Sequence, residues 1–404
     1  MKGYIRQRED SWQITIDVGR DPSTGKRLRH FERVKGSKRD AQRRLHELLV
    51  NIEQGRYVKP TDLSVGQFLK EWLQDYAQMN TRARTFERYA SVVDHLILAL
   101  GSIPLTSLRP QHIDKYNRDC LISGRRDGKG GLSPLTVKKH HRVLSEALKY
   151  AVRNGLIASN PAEVVKPPGP NKGRQVGRLG SAEVQAILDS AKERESLYHN
   201  LFFTAAYTGL RRGEVLGLRW CDIDLDKSTL SVVQTLQQLQ SGEYVFTPPK
   251  SEKSRRQIAL SPSLVILLWE HRLKQEHTWR LLGKSLLPTD LVFSHPDGRP
   301  LRPNSVTRAL KRIGESLSLK GIRLHDLRHA HASILLKQGV HPKIVQERLG
   351  HSSISTTFDI YSHLLPGMDE AAARRFEEGL QADDISTENV AEMSPNLPKE
   401  GVLR

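Results

Sequence analysis

From Ile322 to Leu364 the chain reads IRLHDLRHAHASILLKQGVHPKIVQERLGHSSISTTFDIYSHL. The apolar spacing restricts this stretch to short helices joined by tight turns, one of which ends at Gly350. Along it lie His325, Arg328, His329, His351 and Tyr361. Four of these are cationic or can become so, and the fifth is a phenol. A fold that gathers them makes a pocket for an anion beside a hydroxyl nucleophile. The rest of the sequence must say which anion it is and what else meets it.

Net charge narrows the choice. The chain carries 63 Lys and Arg against 45 Asp and Glu, a formal +18. So basic a surface repels itself, and nucleic acid is the leading partner, because neutralising phosphates releases counterions. From charge alone the alternative is a soluble basic protein with no such partner. At 404 residues the chain exceeds one typical core and predicts two or three domains. No run is long and apolar enough to span a bilayer, and MKGYIRQRED lacks the apolar stretch of a signal peptide. Cys120 and Cys221 form neither a disulfide framework nor a zinc spacing. A cytoplasmic protein is expected.

Residues 1–59 read as a self-contained module. In WQITIDVG, Trp12, Ile14, Ile16 and Val18 alternate with polar residues, as on a half-buried strand. GYIRQR precedes it, and RLRHFERV offers a third strand after the turn residues DPSTGKR. Ser37 then predicts an N-cap, with Ala41, Leu45, Leu48, Leu49 and Ile52 at helical spacing and Gly55 as the stop. The module holds fifteen Lys and Arg against eight Asp and Glu. A small ribbon so charged is wide enough for a DNA major groove, or is a solvated sheet.

Residues 60–165 predict a bundle of four amphipathic helices. The first opens at Ser64 with Phe68, Leu69, Trp72, Leu73 and Tyr76 on one face. The others run through FERYASVVDHLILAL, through QHIDKYNRDCLIS after Pro110, and through LTVKKHHRVLSEALKYAVRNG after Ser133. Arg82 and Arg84, and then Lys138, Lys139, His140 and Arg142, form basic runs near helix starts and are expected to contact phosphate. GRRDGKGG lacks the GxxxxGK[ST] arrangement and reads as a turn. Residues 166–180, rich in Pro, Gly and cations, read as a linker, and residues 181–381 as a further, mostly helical domain. Residues 382–404, polar and locally acidic, read as a disordered tail.

Two more constellations lie in 181–381. FFTAAYTGLRRGEVLGLRW ends one helix at Thr208-Gly209 and starts another near Arg211 and Arg212, with Glu214 in its first turn. An Arg there presents its planar fork to a phosphate, or pairs with Glu214. In TPPKSEKSRRQIALS, the strands YVFT and RRQIAL are expected to pair, with Lys250 near the hairpin tip. HDLRHAH suggests zinc, but the glutamate of HExxH is missing. Singly, His351 reads as a helix C-cap and Tyr361 as a core aromatic.

Taken in order, TGLR, a lysine on a hairpin, HxLRH, LGH and a tyrosine ten residues later make a far more specific signal. This ordered set resembles the catalytic domain of the tyrosine recombinase (phage integrase) family, from Ser181 to about Leu380. The N-terminal module resembles the arm-type DNA-binding domain of phage and transposon integrases. The resemblance implies that Arg211 and Arg328 clamp the scissile phosphate and that Lys250 protonates the leaving 5′ hydroxyl. It implies that His325 and His351 bind the phosphate and assist proton transfer, and that Tyr361 is the nucleophile. His329 and Glu214 would support them, and Arg212 and Lys253 are the competing neighbours of Arg211 and Lys250.

The expected fold is mainly α with small β-sheets, in three domains. The expected activity is site-specific recombination for a mobile element, such as a prophage or an integrative conjugative element. It would proceed through a covalent 3′-phosphotyrosine and a Holliday junction, with integration and excision as outcomes and neither metal nor ATP required. Partners implied are double-stranded attachment sites, a homo-tetramer on DNA, an excision factor and a host DNA-bending protein. The helix at AAARRFEEGL would dock on a neighbouring protomer or pack on its own domain. A type IB topoisomerase shares the chemistry, but the arm module argues against it. A catalytically dead DNA-binding regulator is disfavoured because every catalytic position is filled.

Overall fold

The computed structural model describes residues 3–20, 25–53, 62–169, 179–194, 196–249 and 254–351, together with 373, 374, 376–378 and 380. It divides into two compact units, Met1–Arg174 and Gln175–Arg404.

The first unit has two separate cores. Strands β1 (Gly3–Arg8), β2 (Ser11–Arg20) and β3 (Arg27–Lys35) form an antiparallel sheet in that order, followed by helix α1 (Lys38–Glu53). Ser37 caps α1 through Asp40, whose carboxylate accepts from the Ser37 backbone N–H and hydroxyl. Period-two alternation decides the faces. Ile14 and Ile16 turn inward and pack with Leu48 of α1, with Ile5, Leu45 and Ile52 around them. The register sets Tyr4, Thr15 and Phe31 side by side on the opposite face, next to Arg6, Gln13 and Arg33. There Tyr4 and Phe31 are more than half exposed.

The second core belongs to a helical bundle. Helix α2 (Val65–Glu71) begins at Ser64 in a reciprocal capping box with Gln67 and runs on through a π-helical turn, Trp72–Ala77, into α3 (Gln78–Asn80). Helices α4 (Ala83–Leu100), α5 (Pro110–Ser123) and α6 (Pro134–Arg153) complete it. Phe68, Leu69, Trp72, Leu96, Ile113, Leu144 and Leu148 are buried together. A side chain at Gly66 would come within 3.1 Å of the Gly101 backbone, so glycine lets the start of α2 meet the end of α4.

One expected DNA contact is corrected here. His140 is buried, and its Nδ1 lies 2.7 Å from the Tyr116 hydroxyl. It follows Val137 by three residues and precedes Leu144 by four, so helical geometry turns it onto the apolar face of α6. Burial drives its pKa down to about 4, so it is a neutral core histidine at neutral pH. Lys138, Lys139 and Arg142 lie on the exposed face, as do Arg82 and Arg84, and Arg84 is paired with Glu87 at 2.7 Å.

The second unit is helical around small sheets. In order come α7 (Ser181–Arg194), α8 (Ser196–Thr208), α9 (Arg212–Leu216), β4 (Ile223–Asp224), β5 (Thr229–Val232), β6 (Thr235–Gln238), β7 (Tyr244–Thr247) and β8 (Arg256–Ala259). Helices α10 (Pro262–Leu281), α11 (Pro303–Ser316), α12 (Leu324–Lys337) and α13 (Pro342–Leu349) follow. The expected hairpin of YVFT with RRQIAL does not form. Strand β7 pairs with β6, whereas β8 pairs with β5 at the edge of a β4-β5-β8 sheet. Strands β7 and β8 therefore lie in different sheets. Each strand satisfies its hydrogen bonds with an earlier partner.

Among the described residues no helix is long and apolar enough to cross a membrane. Of the AAARRFEEGL segment, Phe376 and Leu380 are exposed, and Ala371 and Ala372 lie outside the described residues, as do the 382–404 tail and most of the 166–180 linker.

Because the units have separate cores, Leu144→Ala should destabilise the bundle by about 2–5 kcal/mol and leave the Gln175–Arg404 transition unmoved. Denaturant titration followed by hydrogen exchange reads both transitions, and an equal shift in each would contradict independent cores.

Candidate active site

The end of helix α13 organises the site. Helix termini leave backbone carbonyls without intrahelical partners. Here three successive ones, on Arg348, Leu349 and Gly350, are each taken by a guanidinium from a different element. Arg256 of β8 donates Nε–H to the Arg348 carbonyl at 2.7 Å. Arg328 of α12 donates to Leu349 at 2.7 Å and, through its other terminal nitrogen, to Gly209 at 2.8 Å. Arg211, the N-cap residue of α9, donates to Gly350 at 3.1 Å. Gly350 closes the helix with φ of 67°, a left-handed conformation open to glycine, and the next residue is His351.

Glu214 supplies the negative charge. Its carboxylate is buried and accepts from the Arg211 backbone N–H at 2.9 Å and from the Arg211 guanidinium at 2.7 Å. On its other side Arg256 donates through both terminal nitrogens, at 2.9 and 3.3 Å. Burial alone would raise its pKa, but the two arginines outweigh burial and hold it down to about 2. Arg328 is almost wholly buried, whereas 38% of the Arg211 side chain remains accessible. Arg212 points away, donating to Thr307 at 2.9 Å. The geometry thus separates Arg211 from its neighbour.

The surroundings of the histidines disfavour their protonated forms. His325, in the first turn of α12, is held down to about 4 by its crowded surroundings and then by the charges of His329, Arg328 and Arg211. His351 is likewise held to about 4, by burial first and then by Arg328 and Arg211. His329 is lowered by burial, and its ring meets that of His325 edge-on at 4.5 Å. Among the described residues no group of three or more His, Cys, Asp or Glu could hold a metal. The structure thus brings together Arg211, Glu214, His325, Arg328, His329 and His351. Lys250 and Tyr361, like Lys253, lie outside the described residues.

The sequence patterns do not single out Arg256 or Arg348, which both belong to this network. Arg256 shares the inward side of β8 with buried Ile258, and that alternation is the one signal that marks it. Arg348 donates to the Tyr207 and Ala259 carbonyls and, from Nε at 3.0 Å, to His331 Nε2. Nε2 must then be the acceptor, so the His331 proton sits on Nδ1, 2.9 Å from the Ala206 carbonyl. Gly209, with φ of 66°, is pressed against this layer, where a side chain would strike Leu349 and His331.

Comparison with known proteins adds an independent line. Residues 177–367 match the model described as the phage integrase family, and residues 64–119 match that of the phage integrase N-terminal SAM-like domain. The chain is 28% identical to a "Tyrosine recombinase XerC-like" protein of Caldanaerobacter subterraneus subsp. tengcongensis, over 90% of this chain and 95% of the relative. It is 26% identical to the ICEBs1 integrase of Bacillus subtilis, over 91% and 97%. In fold it is similar to the Tn1549 transposon integrase in complex with a circular intermediate DNA, with a TM-score of 0.65 at 20% identity, over 78% of this chain and 99% of that one. A lambda integrase tetramer bound to a Holliday junction gives 0.55 at 20% identity, over 89% and 94%.

The His331 environment predicts a pH effect. Its folded pKa is lowered to about 4, by burial first and then by Arg348, so between about 6.5 and 4 the unfolded chain binds a proton that the folded one refuses. Its contribution to stability is complete above about 6.5 and is lost as pH falls through that window. His331→Gln keeps a donor and an acceptor but cannot titrate. It should remove up to about 1.4 kcal/mol per pH unit from the slope of unfolding free energy between these limits. An unchanged slope would show that His331 is not the group responsible.

Proposed function

We propose, for a chain that belongs to the phage integrase family of tyrosine recombinases, that it recombines DNA at specific attachment sites of a mobile element through a covalent 3′-phosphotyrosine. The observation that carries this reading is the placement of Arg211 and Arg328 on successive carbonyls at one helix end, beside His351 and close enough for both guanidiniums to act on His325. Two guanidiniums so held can share the nonbridging oxygens of one phosphodiester as charge grows on them.

In the proposed reaction the Tyr361 oxygen attacks the scissile phosphorus in line. The O–P bond to tyrosine forms as the bond from phosphorus to the 5′ oxygen breaks, and Lys250 supplies the proton that oxygen needs. The phenol must lose its own proton, and at pKa about 10 it does so poorly alone. Neutral His325 and His351 can hydrogen-bond the phosphate, and the negative charge it brings would raise their lowered pKa values so that one of them can take the phenol's proton. The phosphotyrosine conserves the phosphodiester free energy, so the 5′ hydroxyl of a partner strand can reverse the step without ATP. The chemistry asks nothing of a metal ion.

The upstream modules fit a role in holding DNA. The exposed sheet face with Tyr4, Arg6, Phe31 and Arg33 suits a major groove, its arginines to phosphate or guanine and its aromatic rings to thymine methyls. Lys138, Lys139 and Arg142 on α6, with Arg82 and Arg84, would contact phosphates of the core site. In this reading four protomers act on two sites through a Holliday junction, Tyr361 attacks within its own protomer, and excision draws on an accessory factor and a host bending protein.

A nicked suicide duplex carrying the element's attachment site provides the test. The wild-type chain should trap a covalent DNA adduct in EDTA, and Tyr361→Phe should trap none. A wild-type chain that binds this duplex without trapping would sink the enzymatic reading. Rapid relaxation of any supercoiled plasmid would instead mark a topoisomerase. Arg211→Ala should lower trapping by about 10²–10³-fold with most site binding kept. Lost binding would make Arg211 a docking residue.

A further inference from the structure

We infer that Arg256 is a positioning residue: by occupying half of the buried Glu214 carboxylate, it keeps the Arg211 guanidinium turned towards Gly350 and the substrate phosphate. The inference rests on the reading of Arg211 as a phosphate ligand and assigns a role to a residue that touches no substrate.

Two arginines share the Glu214 carboxylate. Glu214 has two oxygens, and each receives one donor from Arg211 and one from Arg256. Only one of the two Arg211 bonds comes from its guanidinium, so that group has a terminal nitrogen for the Gly350 carbonyl. The side chains of Arg256 and Glu214 are 6% and 2% exposed, so water cannot take over the role of either. With Arg256 gone, a buried carboxylate would face a single cation. The two-pronged ion pair of a guanidinium with a carboxylate is the strong geometry, and Arg211 is the group able to complete it. Arg211 would turn inward, leaving Gly350 and the position where a phosphate oxygen must be met.

Arg256 has a second anchor that makes it suited to this work. Its Nε–H holds the Arg348 carbonyl, and Arg348 in return donates to the Ala259 carbonyl at the far end of the same strand. The guanidinium is therefore fixed against β8 and against the end of α13 together. A lysine has no planar fork and cannot serve Glu214 on both oxygens while also serving Arg348. The close approach of Gly350 to this guanidinium, where an added Cβ would lie 3.1 Å from it, leaves no space for a different arrangement.

The test compares Arg256→Met in two backgrounds, using the full chain, the suicide duplex and saturating DNA. In the wild-type background the substitution should slow covalent trapping by about 100-fold, with binding changed by less than about threefold. In the Glu214→Gln background, where no carboxylate competes for Arg211, the same substitution should cost less than about tenfold. Arg256→Lys should fall between wild type and Arg256→Met. Equal costs in the two backgrounds would reduce Arg256 to a packing residue, as would a loss below about threefold in the wild type. The balanced double variant holds no unpaired buried carboxylate, so it keeps the comparison with Glu214→Gln readable if Arg256→Met alone unfolds. A second measurement does not depend on cleavage. Phenylglyoxal modification of Arg211, followed by peptide mass spectrometry, should slow in Arg256→Met and recover in the double variant. If modification is unchanged the inference fails, whatever the wild-type chain does to DNA. If the wild type traps no adduct while modification behaves as stated, the fault lies in the functional reading.

Discussion

The end of α13 is the constraint on which the second unit depends. A helix of eight residues brings three unpaired carbonyls to the middle of the site, and their partial negative charge has to be met in a place with little water. Three arginines meet it, from β8, α12 and the N-cap of α9. Elements distant in sequence are thereby held to one point, and the chain emerging from that point carries His351 and continues towards Tyr361. Gly350 is required there because the chain must reverse through a left-handed residue with a guanidinium packed against it. Gly209 plays the matching part on the other side, ending α8 so that its carbonyl can receive Arg328.

Much of this was legible in the sequence, and the failures have local causes. Capping residues and helical spacing at Ser37, Ser64, Pro110 and Ser133 mark real helix starts, because caps are short-range chemistry. The ordered motifs brought Arg211, Glu214, His325, Arg328 and His351 into one reading, and the fold collects them. At His140 a run of basic letters, KKHHR, reads as a surface although the residue is buried. Its spacing from Val137 and Leu144 already placed it inward. The hairpin fails for a different reason. YVFT and RRQIAL are neighbours along the chain, but strand pairing is settled by partners as far back as Thr229 and Thr235, and no local pattern reports that. Arg256 escaped notice because its value lies in a carboxylate some forty positions upstream. Alternation along β8 shows only that it points inward.

The charge balance of the site bears on what it can receive. Arg211, Arg256, Arg328 and Arg348 crowd together, and Glu214 is the carboxylate among them. The histidines cannot add to this charge without cost, and their lowered pKa values express that. Neutral carbonyls supply the remaining partners. A carbonyl is a weaker acceptor for a guanidinium than an oxygen that carries formal charge. Under the proposed function Arg211, accessible and resting on Gly350, would gain by meeting a phosphodiester oxygen, whereas Arg328, buried between Leu349 and Gly209, would gain only if the phosphate came to it. The two arginines differ in kind for this reason. In the proposed reaction Arg328 would be part of the frame that places the phosphate and Arg211 the group that closes on it, a freedom that would depend on how fully Glu214 is satisfied from its other side.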